Sequence, residues 1–521
     1  QLGQETSVSQ VSSNIPGLHL RISGIAPPAM LSAPTPEDVV IRATVATGAA
    51  GADGTPLLVS VEPPPGSART PCDICCVVDV SGSMSNEALL QGEDGTMSAS
   101  HGLSVLDIVK HALRTIIANL GEHDRLALVS YSNSAKVIFS LTEMTPNNRR
   151  TSEEKLQELT PEGMTNLWDG LQNGLQLLKD GQDQGRMQHV MLFTDGMPNI
   201  NPPRGIVPML KRLKDKSEGG KLPCTISTFG FGYELDSGLL SDLAREGFGA
   251  YAFIPDAGFV GTVFVNAMSN LLVTMAKDVV VTVRPAGGTA KVLGVHPMQS
   301  DKEATIVQLG TLQFGQAKDI VMMLQGGSSA EVTVEYRTRA GVNRIEATGA
   351  ADASRVELQR LRLRSVDCMQ QAMDSLKLTP MERANGQPLP LQDASAIIQA
   401  MIQEISRSPA KDAEAAKGLL EDLEGQVSEA LSREDWYKKW GIHYLPSLMF
   451  AHLTQQCNNF KDAGVQSYGG DLFQNTRDAA DDIFLSLPPP RPTRPAVAAA
   501  APTRAPAPVI SMQAYYDPCG G

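Results

Sequence analysis

The stretch Cys72-Asp-Ile-Cys-Cys-Val-Val-Asp79-Val-Ser81-Gly-Ser83-Met84 decides the fold of this 521-residue chain. Its residues 73–79 form a continuous, mostly apolar run that ends in an acid, as is typical of a parallel strand buried on both faces. A helix is predicted from Ser104, because apolar residues recur on one helical face after it and Asp107 completes an N-cap signal. A buried strand followed by such a helix is the repeating unit of an α/β fold.

The same unit recurs further along the chain. Apolar strands are predicted at 126–131, 190–194, 225–231 and 251–254, with helices between them. This alternation predicts a doubly wound, mostly parallel sheet, in which ligands bind outside the carboxyl ends of the strands.

Strands of a different kind flank this α/β region. Period-two alternation of apolar residues between 17 and 61, and again after Lys277, predicts half-buried β-strands. Neither segment is long enough to bury a two-sheet core alone. We therefore predict that 17–66 and 279–349 close one β-sandwich into which the α/β domain is inserted. Two separate small β caps are the alternative.

The remaining segments complete the predicted organisation. Apolar periodicity predicts helices over 353–460, and from Pro488 the chain becomes a Pro/Ala-rich, extended tail. The predicted parts are an N-terminal extension (1–16), the two sandwich segments (17–66 and 279–349), the α/β domain (67–278), a helical C-terminal region (350–487) and the tail (488–521).

Bulk composition excludes several classes of partner. The net charge of −13 and the lack of a basic stripe argue against nucleic acid and anionic lipid. The most apolar window, 259–276, contains Asn266 and Asn270 and predicts a buried amphipathic helix, so no transmembrane segment is expected. Seven cysteines in so long a chain are not a disulfide framework. Three of them, Cys72, Cys75 and Cys76, are interpreted as strand packing.

Five oxygen-bearing side chains are predicted to converge at the functional edge of the sheet. Asp79, Ser81 and Ser83 follow the first strand, Thr165 opens a later helix, and Asp195 ends the strand at 190–194. Hard oxygen donors without Cys or His suit Mg²⁺, Mn²⁺ or Ca²⁺ rather than zinc. A polar insert at 86–101 follows the first motif. It either caps the metal face or is a solvated loop.

This pattern, Asp-x-Ser-x-Ser followed by Thr and Asp, resembles the metal-ion-dependent adhesion site of the von Willebrand factor A domain. The resemblance implies that Ser81, Ser83 and Thr165 coordinate the ion directly, and that Asp79 and Asp195 act largely through water. It also implies an open coordination position for a partner's carboxylate, so that Asp79→Ala should abolish binding. In the alternative interpretation, the ion only braces the loops or the site stays empty.

Later motifs resemble a subgroup of these proteins. Thr228-Phe-Gly-Phe-Gly-Tyr233, Trp440-Gly-Ile-His-Tyr444 and Tyr468-Gly-Gly-Asp-Leu-Phe473 are similar to members that join the A domain to an associated C-terminal region, often followed by a Hint (hedgehog/intein) module. The resemblance implies that Gly521 is the upstream product of Hint self-cleavage, with an arbitrary end of the sequence as the alternative. Plant relatives carry a RING, but no upstream Cys/His array is present here.

The sequence therefore predicts a metal-dependent binding or adhesion protein that presents its ion to an acidic partner. A sharper form of this prediction is a self-assembling structural subunit whose tail docks on a neighbouring copy. An intracellular scaffold or adaptor for an ATPase or for the ubiquitin machinery is the alternative. No hydrolase, metalloprotease or nucleotide-binding motif is credible, and His443 and His452 are interpreted as core or surface histidines, so an enzyme is not expected. An extracellular or cell-surface location is favoured over a cytoplasmic one.

Overall fold

A computed structural model describes residues 41–66, 69–88, 90–91, 97–98, 102–182, 185–300, 303–459 and 461–492. The predicted N-terminal extension, Gly521 and most of the tail lie outside these residues, as does most of the insert at 86–101. The domain boundaries drawn from the sequence stay predictions.

The described chain alternates strands and helices in its first half and is helical in its last third. The strands are β1 (Arg42–Thr47), β2 (Thr55–Glu62), β3 (Cys72–Asp79), β4 (Leu90–Gln91), β5 (Met97–Ser98), β6 (Arg125–Tyr131), β7 (Ala135–Glu143), β8 (Met187–Thr194), β9 (Thr225–Phe231), β10 (Phe248–Ile254), β11 (Thr274–Pro285), β12 (Thr289–Val292), β13 (Met298–Ser300), β14 (Thr305–Gln313), β15 (Lys318–Gln325), β16 (Ala330–Thr338) and β17 (Gly341–Glu346). The α-helices are α1 (Val105–Asn119), α2 (Pro146–Gln157), α3 (Leu167–Asp180), α4 (Ile206–Lys216), α5 (Ser237–Glu246), α6 (Val260–Leu272), α7 (Ser354–Ser375), α8 (Pro380–Ala384), α9 (Leu391–Arg407), α10 (Glu414–Asp422), α11 (Ser428–Ala430), α12 (Glu434–Trp436), α13 (Ile442–Thr454) and α14 (Asp471–Ser486).

The central sheet has the strand order β10-β9-β8-β3-β6-β7, and its strands are parallel except β7. Every residue of β3 is buried. Alternate side chains of β3 enter separate cores, with Ile74 and Cys76 on one face and Cys75 and Val77 on the other. Helices cover both faces, so the predicted doubly wound α/β fold is confirmed.

The order of this sheet fixes where its loops diverge. From β3 the chain crosses to β6 on one side, and it returns to place β8 on the other side. Loops that leave two neighbouring strands in opposite directions open a crevice at their carboxyl ends, which is where ligands bind in such sheets. The crevice lies between the ends of β3 and β8.

Two antiparallel sheets form the β-sandwich. One has the order β1-β2-β15-β12 and the other β13-β14-β11-β16-β17, and apolar residues of both share one core. Strand β2 pairs with β15, with Val59 opposite Ile320. Strands from before and after the α/β domain therefore belong to one sheet. This confirms the predicted insertion of that domain into a sandwich, and the alternative of two separate β caps is wrong.

The C-terminal helices pack against both other parts of the molecule. Helix α7 contacts β15 of the sandwich, whereas α13 contacts β10 and α14 contacts α6 of the α/β domain. The ring of Phe484 on α14 lies edge-on to His111 of α1, with ring centroids 4.8 Å apart. An added Cβ at Gly261 would lie 2.6 Å from Phe484, so the close approach of α14 to α6 requires glycine there.

Two sequence predictions need correction in detail. Strand β7 was not predicted, and it forms an antiparallel edge beside β6. The apolar window 259–276 is not one helix, because α6 ends at Leu272 and β11 begins at Thr274. Within the described residues, no helix is both long enough and apolar enough to span a membrane.

The buried histidine of β8 predicts acid sensitivity. His189 is 3% exposed, and its Nδ1 lies 2.7 Å from the hydroxyl of Thr225. Burial, with the charge of Lys277, lowers the pKa of His189 from 6.5 to about 3. Between these values the unfolded chain binds a proton that the folded chain does not. Stability is therefore complete above pH 6.5 and falls as the pH decreases toward 3.

We expect the free energy of unfolding to fall by about 1 kcal/mol per pH unit below 6.5 through His189 alone. Urea titrations at pH 7 and pH 5 measure this slope. His189→Gln should reduce the slope, and substitution of the exposed His123 by Gln should not. Equal slopes in all three proteins would contradict the assignment.

Candidate metal centre

The loop after β3 is held by the buried carboxylate with which the strand ends. Asp79 is fully buried, and its Oδ1 accepts a hydrogen bond of 2.8 Å from the backbone N–H of Ser81. Its Oδ2 accepts a second bond of 2.6 Å from the hydroxyl of Thr194 at the end of β8. A short 3₁₀ helix, Gly82–Ser85, follows and is anchored by the fully buried Met84. Asp79 therefore ties the first loop to the neighbouring strand.

The second acid closes a chain of side-chain oxygens. The hydroxyl of Ser83 donates to Oδ1 of Asp195 over 2.7 Å, and the hydroxyls of Ser81 and Ser83 lie 3.1 Å apart. Ser81 and Asp195 are 1% and 7% exposed and Ser83 is half-buried, so these oxygens converge in a largely buried crevice. Four of the five predicted donors are thus brought together by hydrogen bonds.

The loop that carries Thr165 contacts the loop after β3 through backbone hydrogen bonds. Gly82 N–H donates to the carbonyl of Gly163 over 3.0 Å, and Glu162 N–H donates to that of Val80 over 2.6 Å. Gly163 has a φ of +69°, a conformation that favours glycine. The side chain of Thr165 is buried, and these backbone hydrogen bonds hold the loop that carries it against the loop after β3.

A polar shell that sequence reasoning missed positions these loops. The side-chain oxygen of Asn199 accepts from Thr165 N–H over 2.8 Å, and Asn199 N–H donates to the carbonyl of Thr165 over 3.1 Å. Tyr131, at the end of β6, donates to the carbonyl of Phe193 over 3.2 Å. In the sequence, only the position of Thr194 directly before Asp195 indicated that a further residue supports the site. Asn199 lies in the loop after β8 and Tyr131 at the end of β6, and the sequence does not encode their proximity to the site locally.

Electrostatics at the site favour a cation. Burial raises the pKa of Asp195 to about 7. The hydrogen bond from Ser83 opposes this shift, whereas the charges of Asp79 and Glu234 add to it. Burial also raises the pKa of Asp79, although hydrogen bonds from Ser81 and Thr194 oppose the shift. A positive ion beside these two buried carboxyl groups would stabilise their charged forms.

The donor set fits a hard divalent cation. It contains two carboxylates and three hydroxyls and no nitrogen or sulfur, which matches the preference of Mg²⁺, Mn²⁺ or Ca²⁺. Among the residues with described placement, no group of three or more His, Cys, Asp or Glu side chains could hold a metal. A site of this kind therefore depends on the hydroxyls of Ser81, Ser83 and Thr165.

The two histidines considered from the sequence are structural in the described chain. His443 Nδ1 lies 2.5 Å from the hydroxyl of Ser237, and its Nε2 lies 3.1 Å from the carbonyl of Tyr233. His452 contacts Tyr468 and Asp422. Both histidines are at most 3% exposed, and each joins a C-terminal helix to its surroundings.

Comparison with known proteins agrees with this geometry. The family model described as "von Willebrand factor type A domain" matches residues 74–197, which include all five donors. The model described as "VWA / Hh protein intein-like" matches residues 413–482. The solved "von Willebrand factor type A from Catenulispora acidiphila" superposes with a TM-score of 0.54 at 15% identity, over 81% of this chain and 97% of that one.

Curated relatives match over shorter stretches. YfbK of Escherichia coli (strain K12) is 27% identical over 198 residues, which is 37% of this chain and 32% of YfbK. Human inter-alpha-trypsin inhibitor heavy chain H3 is 27% identical over 36% of this chain and 19% of its own length. The E3 ubiquitin-protein ligase WAV3 of Arabidopsis thaliana is 22% identical over 51% of this chain and 32% of its own length. The chain thus spans about a third or less of each of these relatives.

The fold and the matches show that the chain contains a von Willebrand factor type A domain. More particularly, this domain is followed in the same chain by a C-terminal region that matches the VWA/Hh protein intein-like model.

Metal uptake can be measured on the full chain. We expect Ser83→Ala to lower Mg²⁺ affinity by roughly tenfold or more, and Asp79→Ala to abolish uptake, because each removes an oxygen from the set. Isothermal calorimetry in resin-treated buffer measures both. Ser85→Ala is the matched control, since Ser85 donates only to the carbonyl of Gly82 in the same loop. Unchanged affinity in Asp79→Ala would contradict the site.

Proposed function

We propose that this protein binds a protein partner through a divalent cation held by Asp79, Ser81, Ser83, Thr165 and Asp195. The observation that carries the proposal is the run of close oxygens from Ser81 through Ser83 to Asp195, with separations of 3.1 and 2.7 Å. A cation bound there would supply a Lewis-acidic position for a carboxylate of the partner. The type A domain, a protein-interaction module, supports the coarse part of this function.

The residues around the site make binding of an acid conditional on the cation. Burial raises the pKa of Asp79 and of Asp195, and the charge of Glu234 adds to the effect at Asp195. Without a cation, nothing at the site attracts a partner's carboxylate. The three neutral hydroxyl ligands offset none of the ion's charge, so a bound ion would attract such a carboxylate.

Two exposed methionines border the site and indicate what else the partner presents. Met164 precedes Thr165 and is 45% exposed, whereas Met197 follows Gly196 and is 62% exposed. The backbone bonds between Thr165 and Asn199 hold their loops together. Methionine adapts to varied apolar surfaces, so we propose that the partner's acid is flanked by apolar side chains.

A peptide library selected on the full chain in Mg²⁺ tests the proposal. We expect enriched peptides to share one Glu or Asp beside apolar residues, and to lose binding in chelator, in Asp79→Ala and when that acid becomes its amide. Ser85→Ala should bind like the wild type. Peptides that bind equally well in chelator would defeat the proposal.

The two exposed methionines that border the site lead to a separate prediction. Met164→Ser and Met197→Ser should each weaken peptide binding by roughly tenfold through lost apolar burial, while leaving Mg²⁺ uptake unchanged. Surface plasmon resonance measures the first effect and calorimetry the second. Replacement of the exposed Met381, on α8, by Ser is the control. Full binding by both Met164→Ser and Met197→Ser would exclude apolar contacts from recognition.

A finer form of the proposal is a structural subunit that assembles through its Pro/Ala-rich tail. Its support is the composition of residues 488–521, which cannot bury a core of their own. Truncation after residue 492 should reduce the assembled fraction in sedimentation velocity. Unchanged sedimentation would restrict the proposal to partner binding.

A second candidate is an adaptor of the ubiquitin machinery, favoured by the similarity to WAV3 over 272 residues. It predicts co-purification with a ubiquitin-conjugating enzyme that survives chelator. The metal-dependent proposal predicts complexes that dissociate in chelator.

A further inference from the structure

A cavity lies away from the candidate metal centre, where three parts of the chain meet. Its walls come from the start of β10 with Phe248, from the sandwich with His296 and Lys318, and from α13 with Phe450. Because the metal centre lies at the carboxyl ends of the parallel strands and Phe248 begins one, the cavity is at the opposite edge of that sheet. The metal centre therefore does not account for it.

The cavity contains a buried lysine that lacks an acidic partner. The side chain of Lys318 is 6% exposed, and within the described chain no ion pair joins its ammonium group to an acid. Burial, with the nearby charge of Arg362, lowers the pKa of Lys318 to about 7. An unpaired ammonium is costly at such a position, and an anion beside it would remove that cost.

Two further nitrogen atoms at the cavity lack protein partners. His296 Nε2 and Arg245 Nε are both buried, and neither has a hydrogen-bond acceptor among the described residues. Lys318 and His296 line the same cavity, and burial, with the charges of Arg362 and Lys318, lowers the pKa of His296 to about 3. Three nitrogen-bearing groups thus line one space, and the guanidinium of Arg245 also forms an exposed ion pair of 3.8 Å with Asp242.

The acid of the cavity wall is already engaged. Asp319 accepts hydrogen bonds from Ser60 over 2.6 Å and from Arg355 over 2.6 Å, and Gln455 lies 3.3 Å from the same carboxylate. Arg355 balances its charge. Lys318 and Asp319 are neighbours on β15, and adjacent side chains of a strand point to opposite faces. Asp319 is therefore not the counter-ion of Lys318.

The size and the apolar walls of the cavity limit its ligand. The cavity measures about 40 Å³, which by the same measure holds about three water molecules or one carboxylate group. Phe248 and Phe450 would face the apolar part of such a ligand. We propose that this cavity binds a small organic monocarboxylate between Lys318, His296 and Arg245, and that the bound anion joins the type A domain to the sandwich and to the C-terminal helices.

Thermal unfolding of the full chain tests the proposal in buffer freed of divalent ions by a chelating resin. The probes are sodium acetate, its neutral isostere acetamide, and sodium chloride at equal ionic strength. We expect acetate alone to raise the Tm in proportion to the logarithm of its concentration above Kd, because it binds the folded state. A shift no larger than that given by chloride or acetamide would overturn the proposal. A larger shift with inorganic phosphate would overturn the assignment to a carboxylate.

Substitutions locate the effect. Lys318→Met should abolish the acetate shift and should itself raise the Tm in anion-free buffer, since it removes an unpaired buried charge. His296→Gln should weaken acetate binding by about tenfold. Lys136→Met, on the exposed face of β7, is the control and should keep the full shift. An undiminished acetate shift in Lys318→Met would overturn the proposal.

A measurement on the wild type covers the case in which Lys318→Met does not fold. Acylation of lysines by acetic anhydride, read residue by residue by mass spectrometry, should be suppressed by acetate at Lys318 and not at Lys136. Equal protection of both lysines, or of neither, would count against the site.

Discussion

Strands β3 and β8 end side by side, and the candidate metal centre depends on this arrangement. These strands are neighbours because the chain crosses to opposite sides of β3, and Val78 lies opposite Phe193 in their register. The register delivers Asp79 and Thr194 to one crevice, where they share a hydrogen bond of 2.6 Å. A shift by one residue would turn alternate side chains to the other face and separate these groups.

Burial in this crevice sets the chemistry of the acids. Water is largely excluded from Asp79 and Asp195, so their charged forms are destabilised and the pKa of each rises. Hydroxyl and amide donors offset part of this cost but carry no charge. A buried pair of carboxyl groups beside neutral hydroxyls is therefore suited to bind a cation. A cation bound there would in turn attract a carboxylate from outside the chain. A cavity near the opposite edge of this sheet is lined by the buried Lys318 of the sandwich.

The sequence predicted the parts of this structure that local pattern controls. The apolar run at β3 and the cap at α1 are confirmed, and Ser104 and Asp107 form a reciprocal capping box. Strand β9 has the predicted bounds, Thr225–Phe231. Strand β7 was missed because Ala135–Glu143 is a half-exposed edge with irregular alternation, so its apolar residues give no clear period. The end of α6 was missed because apolar residues continue unbroken into β11.

By itself, the sequence determined the fold class, the insertion of the α/β domain into a sandwich, and the candidate donors, because strand periodicity and strand-end acids are local features. Only the tertiary structure decided which strands are neighbours, and hence that Ser83 lies against Asp195, that Asn199 holds the loop of Thr165, and that Lys318 and His296 line one cavity. These contacts join residues distant along the chain. Their pairing follows from the crossover connections and from the packing of helices on both faces, which no local pattern records.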